Sequence, residues 1–209
     1  MGSSRLPGKH LLNFSKQYRS IDLIIRELNR NFEDDNIILC TSDLKVDNEL
    51  VQYFQMKYPD IKIFRGSESN VLNRIYDCIK EHPSDDYCRL NADNIFTSSS
   101  LIKSFQIIHK EFDLDFTCNT LSRSMPKGVS IQIFKRNFFE NYFKKVKGIK
   151  MCQEHVFIDI ENHTKRFLNI KFEIQGSDFK ENLALDTVND FTYLKSLVNL
   201  SKFELYFKN

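Results

Sequence analysis

No stretch of this 209-residue sequence approaches the ~20 consecutive apolar residues that a membrane-spanning helix requires, so no membrane partner is expected. Arg5 and Lys9 are followed by no continuous apolar run, which excludes a secretory signal. An excess of one charge is equally missing. The 30 Lys and Arg residues stand against 28 Asp and Glu, and the two signs interleave along the chain. A nucleic-acid surface shows itself as a clustered basic face, so no nucleic-acid partner is expected. The five cysteines, Cys40, Cys78, Cys88, Cys118 and Cys152, never fall at C-x-x-C spacing. They read as small buried hydrophobes in a reducing cytoplasm rather than as a disulfide framework. The five histidines form no helix-spaced pair, which argues against zinc. With no internal repeat and no low-complexity linker, one domain over 1–209 is expected.

What is present is an alternation of short apolar runs with segments of helical period, the pattern of an α/β protein with a largely parallel sheet. Ile21, Ile24, Ile25 and Leu28 predict a first amphipathic helix, and residues 36–41 a buried strand. A helix over 48–58 is stopped by Pro59, and a short strand follows at 61–64. Val71, Leu72, Ile75 and Ile79 mark the inner face of the next helix. Further strands are predicted at 87–90, 116–118 and 131–134. Ser98, Ser99 and Ser100 offer N-caps for a helix with the stripe Leu101, Ile102, Phe105 and Ile108. Phe138, Phe139, Tyr142, Phe143 and Val146 line another buried helix face. In open α/β sheets ligands bind beyond the carboxyl ends of strands. Thr41, Ser42 and Asp43, then Arg65 and Gly66, then Asn91 and Asp93 fall at such ends.

The first nine residues, Met1-Gly-Ser-Ser-Arg-Leu-Pro-Gly-Lys9, form a small-residue loop suited to polyphosphate. Ser3, Ser4 and Gly8 let backbone amides approach an anion, and Arg5 and Lys9 neutralise it. By composition alone the same residues also describe a tail with two solvated cations. Asp93, at the end of a predicted strand, suits Mg2+, a hard cation that takes oxygen ligands; it equally suits the cap of the next helix. Asp186, in Leu185-Asp-Thr-Val-Asn-Asp190, reads alone as an N-cap, a part that Asp190 fills better.

The Met1 to Lys9 string resembles the signature loop of the cytidylyltransferases of the spore-coat-polysaccharide type. These are related to the acylneuraminate and deoxy-octulosonate cytidylyltransferases, which activate acidic sugars with CTP. Other stretches resemble the same family in collinear order. Thr41-Ser-Asp43 is similar to its Ala-Thr-Thr-Asp, and Arg65 to Arg74 to its Arg-Gly-Ser-Glu-Asp-Asp-Val-Leu-Asp-Arg. Asp93 matches the Asp of a Gly-Asp-Cys-Pro-like turn whose other letters here are Ala92, Asn94 and Ile95. Asp186 matches the Asp of Val-Asp-Thr-Pro-Glu-Asp, with Val188 in place of Pro. Asn119 to Gly128 resembles Asn-Thr-Leu-x-Arg-x-Tyr-Pro-x-Gly, after which the usual acids become Ser130 and Gln132, while Lys127 replaces another. Gln153-Glu-His155-Val156 resembles Arg-Glu-His-Val.

The resemblance implies a Rossmann-like, glycosyltransferase-A-like nucleotidyltransferase: a three-layer α/β sandwich with a mostly parallel sheet. It implies transfer of CMP from CTP to a sugar acid or polyol phosphate, with pyrophosphate released and Mg2+ held by Asp93 and Asp186. Arg5 and Lys9 take the catalytic role. Ser3, Ser4, Gly8, Thr41, Ser42, Asp43, Arg65, Gly66, Arg74 and Asn91 take the nucleotide, and Asn119, Arg123, Glu154 and His155 the acceptor. Arg74 is read either as a ligand group or as half of a surface salt bridge, and His155 either as an acceptor group or as structural. Relatives often pair through an arm, which places a dimerisation arm for a homodimer around 129–150. In that family the loop follows a first strand inside the sheet, which implies about six residues ahead of Met1. The alternatives are a non-catalytic nucleotide-binding relative, consistent with the altered turns at Ala92, Val188 and Ser130, or an N-terminally truncated product.

Overall fold

Strands and helices alternate as the pattern predicts in the computed structural model, which describes residues 5–172 and 182–199. α1 (Ser20–Leu28) buries Ile21, Ile24, Ile25 and Leu28. β1 (Ile38–Ser42) follows, and α2 (Asn48–Lys57) ends at Tyr58, next to Pro59. β2 (Lys62–Gly66) runs parallel to β1 in a register from Ile38 opposite Lys62 to Ser42 opposite Gly66. α3 (Val71–Glu81) opens on Asn70, whose side chain accepts the Asn73 amide at 2.9 Å. β3 (Asp86–Arg89), α4 (Ser99–Glu111), β4 (Phe116–Cys118), β5 (Gln132–Lys135) and α5 (Arg136–Val146) complete the predicted series. Ser98 is the cap of α4, accepting the Leu101 amide at 3.2 Å. Two further elements, α6 (Lys150–Glu154) and β6 (Phe167–Asn169), are too short to show a period in the sequence. α7 (Val188–Asn199) begins on a reciprocal pair. Asp190 accepts the Thr187 amide at 2.8 Å, and its own amide donates to the Thr187 hydroxyl at 3.2 Å. Thr187 therefore caps α7, and Asp190 is its partner one turn in.

β3, β5, β4 and β6 form one sheet in that order, in which β5 alone runs against its neighbours. Successive β5 residues point to opposite faces: Ile133 enters one core and Phe134 the other. The first core is covered by α1, α2, α4 and α7, the second by α3, α5 and α6. This is the expected three-layer α/β sandwich. Residues 129–150, expected as a dimerisation arm, hold β5 and α5. Ile131, Ile133, Phe134, Phe139, Tyr142 and Val146 of this stretch are buried in the two cores.

Between β1 and β3 the sheet is interrupted. Among the described residues no strand joins them, and a cavity of about 2050 Å³ takes that place. Asp35, Ser84 and Asp86 line one end of it, and Lys9, Thr41, Ser42 and Asp93 the other. All five cysteines are free thiols, as expected. Cys118 and Cys152 are buried, whereas Cys40 and Cys88 face the gap and stay half-buried.

Candidate active site

Three segments distant in sequence meet beyond the carboxyl end of β3. Gly8 turns the chain with φ 68° and ψ 14°, a left-handed conformation that glycine adopts without strain. A single 3-10 turn, Lys9–Leu11, then directs Lys9 inward, and Ser20 Oγ holds the Lys9 carbonyl at 2.5 Å. The Lys9 side chain is 10% exposed; its Nζ lies 2.9 Å from Asp93 Oδ2 and 3.2 Å from Asp186 Oδ1. The two acids are joined through the backbone as well, because the Leu185 amide donates to the Asp93 carbonyl at 2.9 Å.

A second loop docks onto the same place. Gly128 has φ 104°, and a Cβ there would stand 2.2 Å from the Leu183 carbonyl carbon. Only glycine lets the two backbones pass so closely. The Lys127 carbonyl accepts the Leu183 amide at 2.7 Å, and Lys127 Nζ reaches Asp186 Oδ2 at 2.9 Å. Arg5 Nη2 adds a third cation at 3.3 Å from Asp186 Oδ1. Burial by itself pushes the Asp186 carboxyl up, but Lys127 and Lys9 outweigh it and hold the acid below its ordinary range. The neighbouring His10 goes the other way. Burial, reinforced by the Lys9 charge, lowers its pKa to about 4 against the opposing pull of the Ala92 carbonyl. Its Nδ1 lies 3.1 Å from that carbonyl oxygen, so the proton sits on Nδ1.

The cavity wall includes Lys9, Thr41, Ser42, Arg74, Asn91, Asp93, Glu154 and His155. Several of these groups have commitments of their own. The Thr41 and Ser42 hydroxyls donate to Asp47 Oδ2 at 2.6 and 2.7 Å, so they shape the wall. Arg65 donates to the Ser42 and Leu44 carbonyls at 3.0 and 2.8 Å and ties the loop after β1. Asp43 is exposed, its amide donating to the Gly66 carbonyl at 2.9 Å. Gly66 leaves room for Arg74, whose Cγ would stand 3.1 Å from an added Cβ. Arg74 donates from Nη1 to the Ser67 carbonyl at 2.7 Å and buries Nε without a hydrogen-bond partner among the described residues. Asn119 is buried and clasps its own loop, donating to the Val129 carbonyl at 2.6 Å and accepting the Ile131 amide at 2.9 Å. Arg123 donates to Ser130 Oγ at 3.2 Å. Glu154 and His155 are exposed on the cavity rim, and Asn91 is exposed beside Asp93. Ser3 and Ser4 lie outside the described residues.

Two residues of this cluster carry no strong sequence signal. His10 is marked only by its place next to Lys9, and Lys127 only by standing where the resembling family has an acid. As a chemical device the cluster sets three cations against two carboxylates at the mouth of a cavity, able to exchange internal pairing for a phosphate chain. Asp93 and Asp186 supply the hard oxygen donors that suit Mg2+. Among the described residues no group of three or more His, Cys, Asp or Glu forms a rival metal site.

A sequence model of the family described as cytidylyltransferase matches residues 1–206. The spore coat polysaccharide biosynthesis protein SpsF of Bacillus subtilis (strain 168) is 26% identical over 206 residues, covering 94% of this chain and 82% of that one. A solved cytidylyltransferase from Leptospira borgpetersenii serovar Hardjo-bovis (strain JB197) superposes with a TM-score of 0.82 at 26% identity, over 97% of this chain and 85% of that one. A CMP:2-keto-3-deoxy-manno-octonic acid synthetase complexed with CTP shares the fold at 14% identity, with a TM-score of 0.64 over 94% of each chain.

Proposed function

The chain belongs to the cytidylyltransferase family, and from that premise we propose that it transfers CMP from CTP to an acidic sugar or similar acceptor in surface polysaccharide or glycoconjugate biosynthesis. The observation that carries the reading is Lys9, whose ammonium group touches both Asp93 and Asp186 beside Arg5. An acceptor hydroxyl oxygen attacks the α-phosphorus in line and forms the new P–O bond. The bond to the β-phosphate breaks, pyrophosphate departs with the electron pair, and the hydroxyl proton passes to solvent. Arg5 and Lys9 offset the charge gathering on the departing pyrophosphate, so catalysis is positioning and electrostatics rather than covalent chemistry. Asp93 and Asp186 would hold Mg2+, which when bound supplies Lewis-acid polarisation of phosphate oxygens. Arg74 and Thr41, both on the cavity wall, are the nucleoside-facing residues in this reading.

The acceptor side favours an anion. Arg89 faces the neutral Gln132 at 2.6 Å, Arg123 faces Ser130, and Lys127 adds a third positive group. A sugar acid or polyol phosphate matches that charge. No helix among the described residues is long and apolar enough to cross a membrane, and a cytoplasmic location and a homodimer complete the proposal.

The test is pyrophosphate release by the purified protein from CTP with Mg2+ and a panel of acceptors. Release is expected with anionic acceptors and CTP; equal release from other nucleoside triphosphates or with neutral sugars goes against the reading. A second reading, a nucleotide-binding protein without catalysis, is favoured by Lys127, which occupies the second oxygen of Asp186. CTP binding without pyrophosphate release across the whole panel would select it.

A further inference from the structure

We propose that Cys40 on β1 is a hydroperoxide-reactive thiol and that Cys78 on α3 resolves it as a disulfide. Leu39 packs against the first core, so strand alternation turns Cys40 to the opposite face of the sheet. That face is covered by α3, which packs against both β1 and β2. Cys78 stands on the buried side of α3, one turn after Arg74, so the two share a helix face. The Cys40 and Cys78 thiols meet across this contact, with the Arg74 guanidinium beside Cys40. Cys40 is half-buried and lines the cavity between β1 and β3, which gives a small oxidant a way in. Cys88 lines the same cavity but packs against the first core instead.

Two thiols in contact divide the work between them. The Cys78 thiol donates to the Cys40 sulfur and, with the Arg74 guanidinium, holds Cys40 below the ordinary thiol range against the effect of burial. Cys78 moves up, because a proton leaving it would set two thiolates side by side and because it is buried. Burial pushes Cys88 up to about 12. Cys40 is therefore the thiolate that attacks. Its sulfur takes one peroxide oxygen, the O–O bond breaks, the other oxygen leaves as an alcohol or water with a proton, and Cys40 becomes a sulfenic acid. The Cys78 sulfur then attacks the Cys40 sulfur, the S–O bond breaks, and water departs with the Cys78 proton. The two sulfurs have passed two electrons to the peroxide, and β1 and α3 stay joined until a dithiol reduces the bond. Disulfides of this kind in a reducing compartment are transient and act in sensing. The inference stands on the two thiols and does not depend on the reaction proposed above.

The test treats the 209-residue chain with hydrogen peroxide at neutral pH, alkylates the remaining thiols and maps each cysteine by peptide mass spectrometry. Cys40 should be consumed at least about tenfold faster than Cys88, which lines the same cavity. The product should be one peptide pair linked through Cys40 and Cys78, lighter by two hydrogens, that dithiothreitol returns to free thiols. Cys78→Ser should stop the reaction at the sulfenic acid, trapped on Cys40 by dimedone, and Cys40→Ser should leave Cys78 unmodified. Equal consumption of Cys40 and Cys88 in the unsubstituted chain overturns the proposal, whether or not the variants fold. A sulfenic acid on Cys40 that persists beside a free Cys78, or a disulfide that joins two copies of the chain instead, overturns it too.

Discussion

The sheet is closed around β4, which pairs with β5 on one edge and β6 on the other, and split beside β1, which pairs with β2 alone among the described strands. β4 is buried along its whole length, and Phe116, Phe134, Phe139 and Phe157 interlock around it with ring centroids 4.7 to 5.6 Å apart. Ile38, Leu39 and Cys40 of β1, and all four residues of β3, stay half-buried. Burial here goes with pairing: the strand with a neighbour on each edge is buried throughout, and the strand with one is not. The candidate site hangs from the split side, where Lys9 and Asp93 line the cavity.

The largest contrast should appear in side-chain truncations. Phe139→Ala on the closed side should cost about 3–5 kcal/mol of unfolding free energy in urea, because the surrounding rings cannot collapse onto the hole. Leu39→Ala on the split edge, where the side chain already borders a cavity, should cost about 1 kcal/mol or less. Equal losses at the two positions would erase the distinction between the halves.

The next effect is pH dependence at the mouth of the gap. The folded pKa of His10 is lowered to about 4 from its ordinary 6.5, so folding favours its neutral form. Its contribution is complete above pH 6.5 and is lost as the pH falls toward 4, because the unfolded chain takes up the proton first. Unfolding midpoints measured across that window should fall by up to about 3 kcal/mol in free energy, and His10→Asn should flatten this part of the profile. A profile unchanged by the substitution rejects the neutral imidazole at this position.

Smaller again is Ser98→Ala, which removes the α4 cap and should cost about 1 kcal/mol by urea denaturation. The smallest change in stability is expected for Lys127→Ala. The side chain is 57% exposed, so the pair with Asp186 should contribute less than about 1 kcal/mol. Freeing Asp186 Oδ2 should nonetheless tighten Mg2+ binding in a calorimetric titration; weaker binding would show that Lys127 helps to build the cation site.

The legible part of this molecule is the part governed by local period and caps. The helix stripes at 21–28, 71–79 and 138–146, the stop at Pro59 and the Ser98 cap all follow from spacing and short-range hydrogen bonding. α6 and β6 were illegible because five and three residues are too few to carry a period. The site divides in the same manner. Arg5, Lys9, Asp93 and Asp186 come together as the motif resemblance implies. The partners that occupy Thr41, Ser42, Arg65 and Asn119 are set by the paths of loops: Asp47 turns back onto Thr41 and Ser42, Asn119 clasps its own loop, and Arg65 reaches the Ser42 carbonyl, none of which a motif announces. Lys127 belongs with these, since its reach to Asp186 depends on the close backbone crossing at Gly128.

The decisive experiment is pyrophosphate release from CTP by Lys9→Ala, set beside its unfolding transition. If Lys9 grips the triphosphate, kcat/KM should fall by about 10²–10³-fold or more while the fold persists as a cooperative, native-like state. Turnover within a few-fold of the unsubstituted protein would remove Lys9 from the reaction, and with it the reading of Asp93 and Asp186 as the centre of a nucleotidyl-transfer site.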